Sequence, residues 1–406
     1  MKLLILTSSF PYHQGDYHGS FVYYHALGQV RLGNEVIVLC PHVPGTVFNE
    51  TIDGIRVHRF PYFYPYRLQR VVSDTGMYFG LNSLFSVLQL PFFLLCEFIC
   101  THKIIFRYQV DLIHSHWIVP QGLTGSLCLK IWKIPHLISS HVVDVNLFGK
   151  YRIFLPLLSL IFSNTDLICT DSTYNKNVIE NLVNLQKPCR VIPMGVNVPV
   201  REINLNNHTK PVILFVGRLI EWKGVDILIK AMVSVTRTIP DAELYIVGDG
   251  PLRNELTRLA DNMGLSGKIT FFGVVDNEKL SSLYQCASVH VLPSRAYRGL
   301  VMEGLGVVLL EAMSRGVPVI GSNTGGITDI IQDGQNGFLF DSGDDRMLAE
   351  KIIDLLSNES LANQFREMGY VTVRSKFSWE SVSRKFTEAY RELLTEYEKK
   401  RTSGRS

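Results

Sequence analysis

Two carboxylates, Glu303 and Glu311, end the run Glu303-Gly-Leu-Gly-Val-Val-Leu-Leu-Glu311, with Gly304 and Gly306 between them. Core packing asks for neither the acids nor the glycines. The pattern predicts a loop carrying Glu303, a turn through Gly304–Gly306, and a helix from about Val307 with Glu311 in its first turns. In one unbroken helix the second glutamate would sit about 80° around from the first. The free amides of a helix start attract anions, and a carboxylate beside them accepts sugar hydroxyls, so a phosphate that carries a sugar suits both. A second fragment agrees. Val212–Val216 reads as a short buried strand, and Gly217-Arg218-Leu-Ile-Glu-Trp-Lys223-Gly224 follows it. Arg218 and Lys223 are thereby delivered at the C-terminal end of a strand, where open α/β sheets bind ligands. The guanidinium forks onto phosphate oxygens, and the lysine adds a mobile charge. Retaining glycosidases also use two carboxylates, about 5 Å apart, but hydrolysis has no need of the positive cluster.

The elements that must position these groups alternate. Leu3–Leu6, Val36–Leu39, Leu112–His114, Leu137–Ser139, Leu167–Cys169 and Val191–Ile192 read as strands in the first half, with helices over Ser20–Leu32 and Ser172–Val183. The second half repeats the alternation with strands Val212–Val216, Leu244–Val247, Ile269–Phe271, Val289–Leu292, Val317–Ile320 and Phe338–Phe340. Its helices begin near Val225, Leu252, Asn277, Val307 and Asp344. Such order implies two mainly parallel sheets with helices on both faces, an α/β fold of two doubly wound domains.

The motifs resemble those of the retaining glycosyltransferases of family 4, which have the GT-B fold: two Rossmann-like domains facing a central cleft. The resemblance rests on Gly217-Arg218…Lys223-Gly224, the Gly248-Asp-Gly-Pro251 turn, Leu292-Pro-Ser294, the two glutamates with seven residues between them, and Gly316-Val-Pro-Val-Ile320. It implies an acceptor-side domain over 1–197, a hinge over 198–210 and a nucleotide-sugar domain over 211–376. A terminal helix over 377–398 is expected to cross back onto the first domain, followed by a basic tail over 399–406. Asn197 and Met194 depart locally from the family's hinge entry, which usually has aspartate and asparagine there.

The resemblance also implies roles. Glu311 should meet the ribose hydroxyls, Glu303 the transferred sugar, and the amides near Gly306 and Val307 the sugar or diphosphate. Arg218 and Lys223 should neutralise the diphosphate as the glycosidic bond breaks. His141, in Ser139-Ser-His141-Val-Val-Asp144, matches the family histidine near the transferred sugar, with Asp144 a weaker acceptor contact. Gly19, in the loop between the first strand and first helix, should face the donor, with Tyr17 and His18 shaping the acceptor pocket. That loop lacks Gly-x-Gly-x-x-Gly, which counts against a dinucleotide fold. Gly248 and the backbone from Gly273 should lie by the nucleotide. Arg295 and Arg298 are open between ligand contact and solvent.

His114 and His116 share one side of a strand. Without a third ligand close by, His116 reads as a wall of the acceptor site and no metal is expected. The implied reaction moves a hexose-type sugar from a UDP- or GDP-linked donor to a saccharide or lipid-linked saccharide, with retained configuration and no cofactor. A GT-B-fold sugar-nucleotide epimerase and a non-catalytic, membrane-associated partner subunit are the rival readings.

The 406 residues carry a formal net charge of +3, with 46% hydrophobic and 19% charged residues. Residues 1–200 hold 15 Lys/Arg against 11 Asp/Glu, without the basic stripe a nucleic-acid partner would need. Seven cysteines without metal spacing read as reduced, mostly buried thiols of a cytoplasmic protein. Met1–Leu6 is a first strand and not a signal peptide. Leu84–Cys100 is the greasiest segment but is broken by Gln89, Pro91 and Glu97, short of a spanning helix. With Lys103, Arg107, Arg67, Arg70, Lys130, Lys133, Lys150 and Arg152 in the same half, it reads either as core or as a face for an anionic membrane, at the inner side of the plasma membrane.

Overall fold

The computed structural model describes residues 1–13, 16, 18–72, 77, 83–142, 144, 152–183, 185, 187–199 and 210–403. Contacts divide the chain into two compact units, Met1–Asp171 with Asn175–Gly195 and Trp379–Ser406, and Val196–Ser378 with Ser172–Tyr174. Tyr17, Lys150 and 200–209 of the expected hinge lie outside the described residues.

The first unit holds an eight-stranded sheet of β1 (Lys2–Leu6), β2 (Glu35–Pro41), β3 (Asn49–Ile52), β4 (Ile55–Phe60), β5 (Leu112–His116), β6 (His136–Ser140), β7 (Leu167–Thr170) and β8 (Cys189–Val191). Its spatial order is β3-β4-β2-β1-β5-β6-β7-β8. Only β3 and β4 pair antiparallel; the other neighbours are parallel. Period-two alternation sorts the side chains onto two layers. Leu3, Ile5, Val36 and Val38 pack with α1 (Ser20–Arg31) and the terminal helix Trp379–Ser403. Leu4, Leu6, Ile37 and Leu39 pack beneath α3 (Leu90–Tyr108), which follows the short α2 (Leu84–Leu88), and beneath α4 (Leu123–Trp132), through Phe93, Ile104 and Cys128. Helix α5 (Leu155–Ser163) buries Leu158, Ile161 and Phe162 with Ile138 and Ile168. The terminal helix is tied to α1: Gln29 Nε2 donates to Ser383 O at 2.9 Å, and Thr387 Oγ1 donates to Gln29 Oε1 at 2.8 Å.

The second unit is a six-stranded, wholly parallel sheet. Its strands are β9 (Val212–Val216), β10 (Glu243–Val247), β11 (Ile269–Gly273), β12 (Val289–Leu292), β15 (Val319–Ser322) and β16 (Phe338–Phe340), in the order β11-β10-β9-β12-β15-β16. Helix α6 (Thr173–Leu182) belongs from Asn175 onward to the first unit, where Ile179 packs with Ile138 and Ile168, and the second unit's helices α7 (Val225–Thr238), α8 (Arg253–Asn262), α9 (Asn277–Cys286) and α10 (Val307–Ser314) follow in chain order. A short hairpin, β13 (Ala296–Tyr297) with β14 (Leu300–Val301), rises between β12 and α10.

Several expectations are corrected. The β3–β4 hairpin was absent from the sequence reading, although Asp53-Gly54 is a two-residue turn signal; both residues have positive φ, 49° and 83°. Three cysteines are fully buried and four are half-buried, all free, so "mostly buried" overstates their shielding. The fifth strand of the second sheet begins two residues late, at Val319, because Gly316 ends α10 in a left-handed turn that Val317 and Pro318 must leave.

Candidate active site

In each sheet the chain reverses its direction of growth beside the first strand. That switch lies between β9 and β12 in the second unit and between β1 and β5 in the first. Loops leave the carboxyl ends of such strands on opposite sides and open a crevice, the usual ligand site of doubly wound sheets.

At the second unit's switch point, Gly217-Arg218 leaves β9 and Pro293-Ser294 leaves β12. Gly224 starts α7 with φ 65°, and a Cβ there would lie 2.0 Å from Pro293 O, so only glycine lets the two loops approach. The approach places Lys223 Nζ 2.7 Å from Glu303 Oε2, and Ser294 Oγ donates to the same oxygen at 2.7 Å. Ser322 Oγ and Ser342 Oγ both donate to Ser294 O, fixing the strand end from behind. Sequence reasoning gave Lys223 and Glu303 to different parts of the ligand; the fold makes them an ion pair largely withdrawn from solvent. Arg295, left open above, donates Nε to Glu221 O and Nη1 to Asp226 Oδ2, both at 3.1 Å, and so braces the turn that carries Lys223. Arg298 is exposed, with its guanidinium over Tyr297.

Gly306 caps α10 at φ 90°, and the helix runs from Val307, so the predicted loop, turn and helix are all present. Glu311 lies one turn in. Tyr284 on α9, fully buried, donates to its Oε2 at 3.1 Å. Burial raises the Glu311 carboxyl above its ordinary range, against the opposing pull of the Tyr284 hydroxyl and Arg315. The turn is held from the far side by Thr324-Gly325-Gly326, which sequence reasoning missed. Gly326 N donates to Glu303 O at 3.2 Å, and a Cβ on Gly326 would lie 2.0 Å from Gly304 O. The paired glycines were the available signal. Gly248 N donates to Gly273 O at 2.8 Å, bringing those two positions together at the ends of β10 and β11.

At the first unit's switch point, Gly19 caps α1 against the backbone of Ser9 and Phe10. Ser9 Oγ lies 3.1 Å from His18 Nε2, whose ring stacks on Tyr12. His141 follows β6, with Nδ1 3.6 Å from Asp171 Oδ2. Its ring is walled by Trp117, Phe21 and His116, at centroid distances of 4.7, 5.2 and 5.9 Å. Among the described residues its Nε2 has no hydrogen-bond partner. A proton on Nδ1 facing Asp171 would leave Nε2 to accept from a hydroxyl. Asp171 and Trp117, the latter at φ 83°, were both missed; each follows a strand that is separate in sequence. A small cavity beside His141 is lined also by Thr170, Met194 and Trp379. Asp144 is buried and accepts from Ile118 N at 3.2 Å and His141 N at 3.4 Å, a geometry that positions the His141 turn.

The third histidine that the sequence lacked is His25, on α1. Its ring, with those of His114 and His116, brings ligand-capable nitrogens within 4.8 Å of one another. Tyr390 OH lies 2.7 Å from His114 Nδ1 and 2.9 Å from His25 Nε2, and Ser139 Oγ lies 2.8 Å from His114 Nε2. These hydroxyls already engage most of the nitrogens a metal would take from His114 and His25. Burial drives all three imidazoles toward the neutral form, His25 to about 3 and the other two well down.

The family model described as Glycosyl transferases group 1 matches residues 199–372, and that described as Glycosyltransferase Family 4 matches residues 18–199. An uncharacterized glycosyltransferase of Methanocaldococcus jannaschii is 34% identical over 287 residues, 70% of this chain and 76% of that protein. The GDP-mannose-dependent alpha-(1-6)-phosphatidylinositol monomannoside mannosyltransferase of Mycolicibacterium smegmatis is 32% identical over 297 residues, 70% of this chain and 78% of that protein. Sucrose-phosphate synthase from Thermosynechococcus elongatus shares the fold, with a TM-score of 0.73 over 97% of this chain and 99% of that one, at 23% identity. The chain therefore belongs to glycosyltransferase family 4 and has the GT-B fold. It is a glycosyltransferase that uses a nucleotide sugar.

Proposed function

We propose that this enzyme moves a hexose-type sugar from a UDP- or GDP-linked donor to an acceptor hydroxyl with retention of anomeric configuration and without a metal. The observation that carries the reading is the Lys223–Glu303–Ser294 cluster at a strand-order switch point, beside the start of α10. In this reading the donor diphosphate takes Lys223 from Glu303, and the sugar hydroxyls take up the freed carboxylate. Arg218 and Lys223 stabilise the charge that grows on the leaving oxygen. Glu311 holds the ribose, and His141 meets the transferred sugar or the incoming hydroxyl. As the anomeric carbon–oxygen bond to phosphate breaks, the acceptor oxygen bonds the same face, and its proton passes to the departing diphosphate.

The similar mannosyltransferase is by name GDP-mannose-dependent and acts on a phosphatidylinositol mannoside. It favours a saccharide or glycolipid acceptor, in cell-envelope polysaccharide or glycolipid assembly. The test is turnover of a panel of UDP- and GDP-sugars in EDTA, with the product's anomeric configuration read by NMR. Retained product without metal is expected, with kcat lower by about 10²–10³ in Arg218→Ala and Lys223→Ala. Inverted product, an epimerised donor, or activity abolished by EDTA and restored by a divalent ion would each overturn the corresponding part. The last would point to the three histidines.

A further inference from the structure

Helix α3 is amphipathic the wrong way round. Toward the sheet it turns Phe93, Glu97, Thr101 and Ile104, at helical spacing, all buried. The side away from the sheet, together with α2, carries Leu84, Leu88, Phe92, Leu95, Ile99 and Phe106, exposed to between 40% and 77%. Helix α4 repeats the inversion: Thr124 and Ser126 are buried while Leu127 and Ile131 are exposed. The two helices form one surface. Gln121 Nε2 and Thr124 Oγ1 donate to the two Glu97 oxygens at 2.9 and 2.7 Å, and Phe98 stacks on Trp132 at 5.3 Å. Isolated exposed apolar residues need no explanation, but a continuous face of them marks a surface meant to be covered.

The charges identify the cover. Glu97 is the only acid on α2, α3 and α4, and it is buried. The exposed charges on these helices, Lys103, Arg107 and Lys130, are all positive. Self-association through this face would bring like charges together around an apolar contact. Anionic headgroups would neutralise the cations while the acyl region takes the leucines and phenylalanines. We infer that this face of the first unit docks on an anionic lipid bilayer, lying in its surface. Together, α2 and α3 (Leu84–Tyr108, 25 residues) are long and apolar enough to cross a membrane by length and composition. The inner face of α3 is nevertheless fixed by Phe93 against Phe60 and Tyr62, each at 5.1 Å, and by the Glu97 bonds. Spanning would strip a carboxyl of both donors and place it in hydrocarbon.

The experiment is flotation of the full chain with phosphatidylcholine vesicles, with and without phosphatidylglycerol, at low and high salt. Wild type should float with phosphatidylglycerol vesicles at low salt, and less at high salt. Leu95→Ser/Ile99→Ser and Lys103→Glu/Arg107→Glu, each with a wild-type circular dichroism spectrum, should partition more than about tenfold more weakly. The second pair changes exposed side chains only and keeps the test valid if the first fails to fold. No flotation at low salt, equal flotation of wild type and the charge-reversed variant, or resistance to alkaline carbonate extraction would overturn the inference. So would a dimer that the Leu95→Ser/Ile99→Ser variant dissociates without any vesicle binding. Flotation uses no donor, so its failure leaves the transferase reading standing, and loss of transfer activity leaves the docking result intact.

Discussion

Position 97 carries a carboxyl group on an apolar helix and turns it inward, where the Gln121 amide and the Thr124 hydroxyl donate to it. The two bonds favour the ionised form, but burial outweighs them and raises the Glu97 carboxyl from 4.5 to about 7. The folded protein then binds a proton that the unfolded chain has released between those values. Whatever stability Glu97 contributes is fully present below pH 4.5 and is lost as pH rises through 7. Glu97→Gln removes the titration. Relative to wild type it should gain stability from pH 5 to pH 8, by up to about 3 kcal/mol at about 1.4 kcal/mol per tenfold change in proton affinity. Urea denaturation at the two pH values measures this, and a difference that does not change with pH would mean that Glu97 is solvated. The apolar stripe that hides this residue was visible in the sequence as greasiness. Its direction was not, because a helix apolar on nearly every side gives no contrast from which to read a buried face.

At the scale of elements, the donor site is a matter of how closely loops can stack. The turn before α10 presents Glu303 only because the Gly325-Gly326 backbone lies flush against it. Gly326 has φ −76°, so alanine would suffer no backbone strain there; its methyl would instead meet Gly304 O at 2.0 Å. Gly326→Ala should therefore push the Glu303 turn away from Lys223 and cut kcat/KM by about 10² or more, since displacements near 1 Å carry that cost. The melting temperature should fall by only a few degrees, a loss of about 1 kcal/mol or less. Kinetics and a thermal melt separate the two effects, and wild-type kcat/KM would show that the turn is not set from this side. The run from Glu303 to Glu311 and the Gly217–Gly224 fragment were legible in sequence because each is a single strand–loop–helix passage whose parts are neighbours in the chain. The second half was read closely for that reason. The Lys223–Glu303 bond, the Gly326 support and the Asp171 contact to His141 join residues 80, 23 and 30 positions apart. No local spacing announces them. The β3–β4 hairpin had a local signal in Asp53-Gly54, but its flanks, Asn49-Glu-Thr-Ile52 and Ile55-Arg-Val-His-Arg-Phe60, are too polar to resemble the buried parallel strands on either side.

Over the whole molecule, histidines are concentrated where charge is hardest to accommodate. His25, His114, His116 and His136 lie buried within the first unit and His290 within the second. Burial lowers His25, His136 and His290 to about 3, with Lys223 adding to the effect on His290, and drives His114 and His116 well below their usual 6.5. His136 keeps hydroxyl partners in Ser115 at 2.9 Å and Thr165 at 3.3 Å, whereas among the described residues both ring nitrogens of His116 and of His290 have none. Each unfolded histidine takes up a proton near pH 6.5 that its folded counterpart refuses. Stability from these groups is therefore present above pH 6.5 and lost as pH falls toward 3. Glu97 and Glu311, both raised by burial, slope the other way over part of this range, but two carboxyls are set against five imidazoles, so the histidines decide the sign. Acid unfolding should be cooperative within each unit and begin near pH 5, at the upper edge of the range where ordinary carboxylates protonate. The first unit, with four of the five, should yield before the second. Fluorescence of Trp117, Trp132 and Trp379 in the first unit, with Trp222→Phe to remove the second unit's reporter, follows the first against hydrogen exchange in the second across a pH titration. His136→Asn or His290→Asn should move the midpoint to lower pH where the replacement folds. An acid midpoint below 4, unchanged by either substitution, would mean that the imidazoles gain protons without unfolding and that the packing around them yields to water.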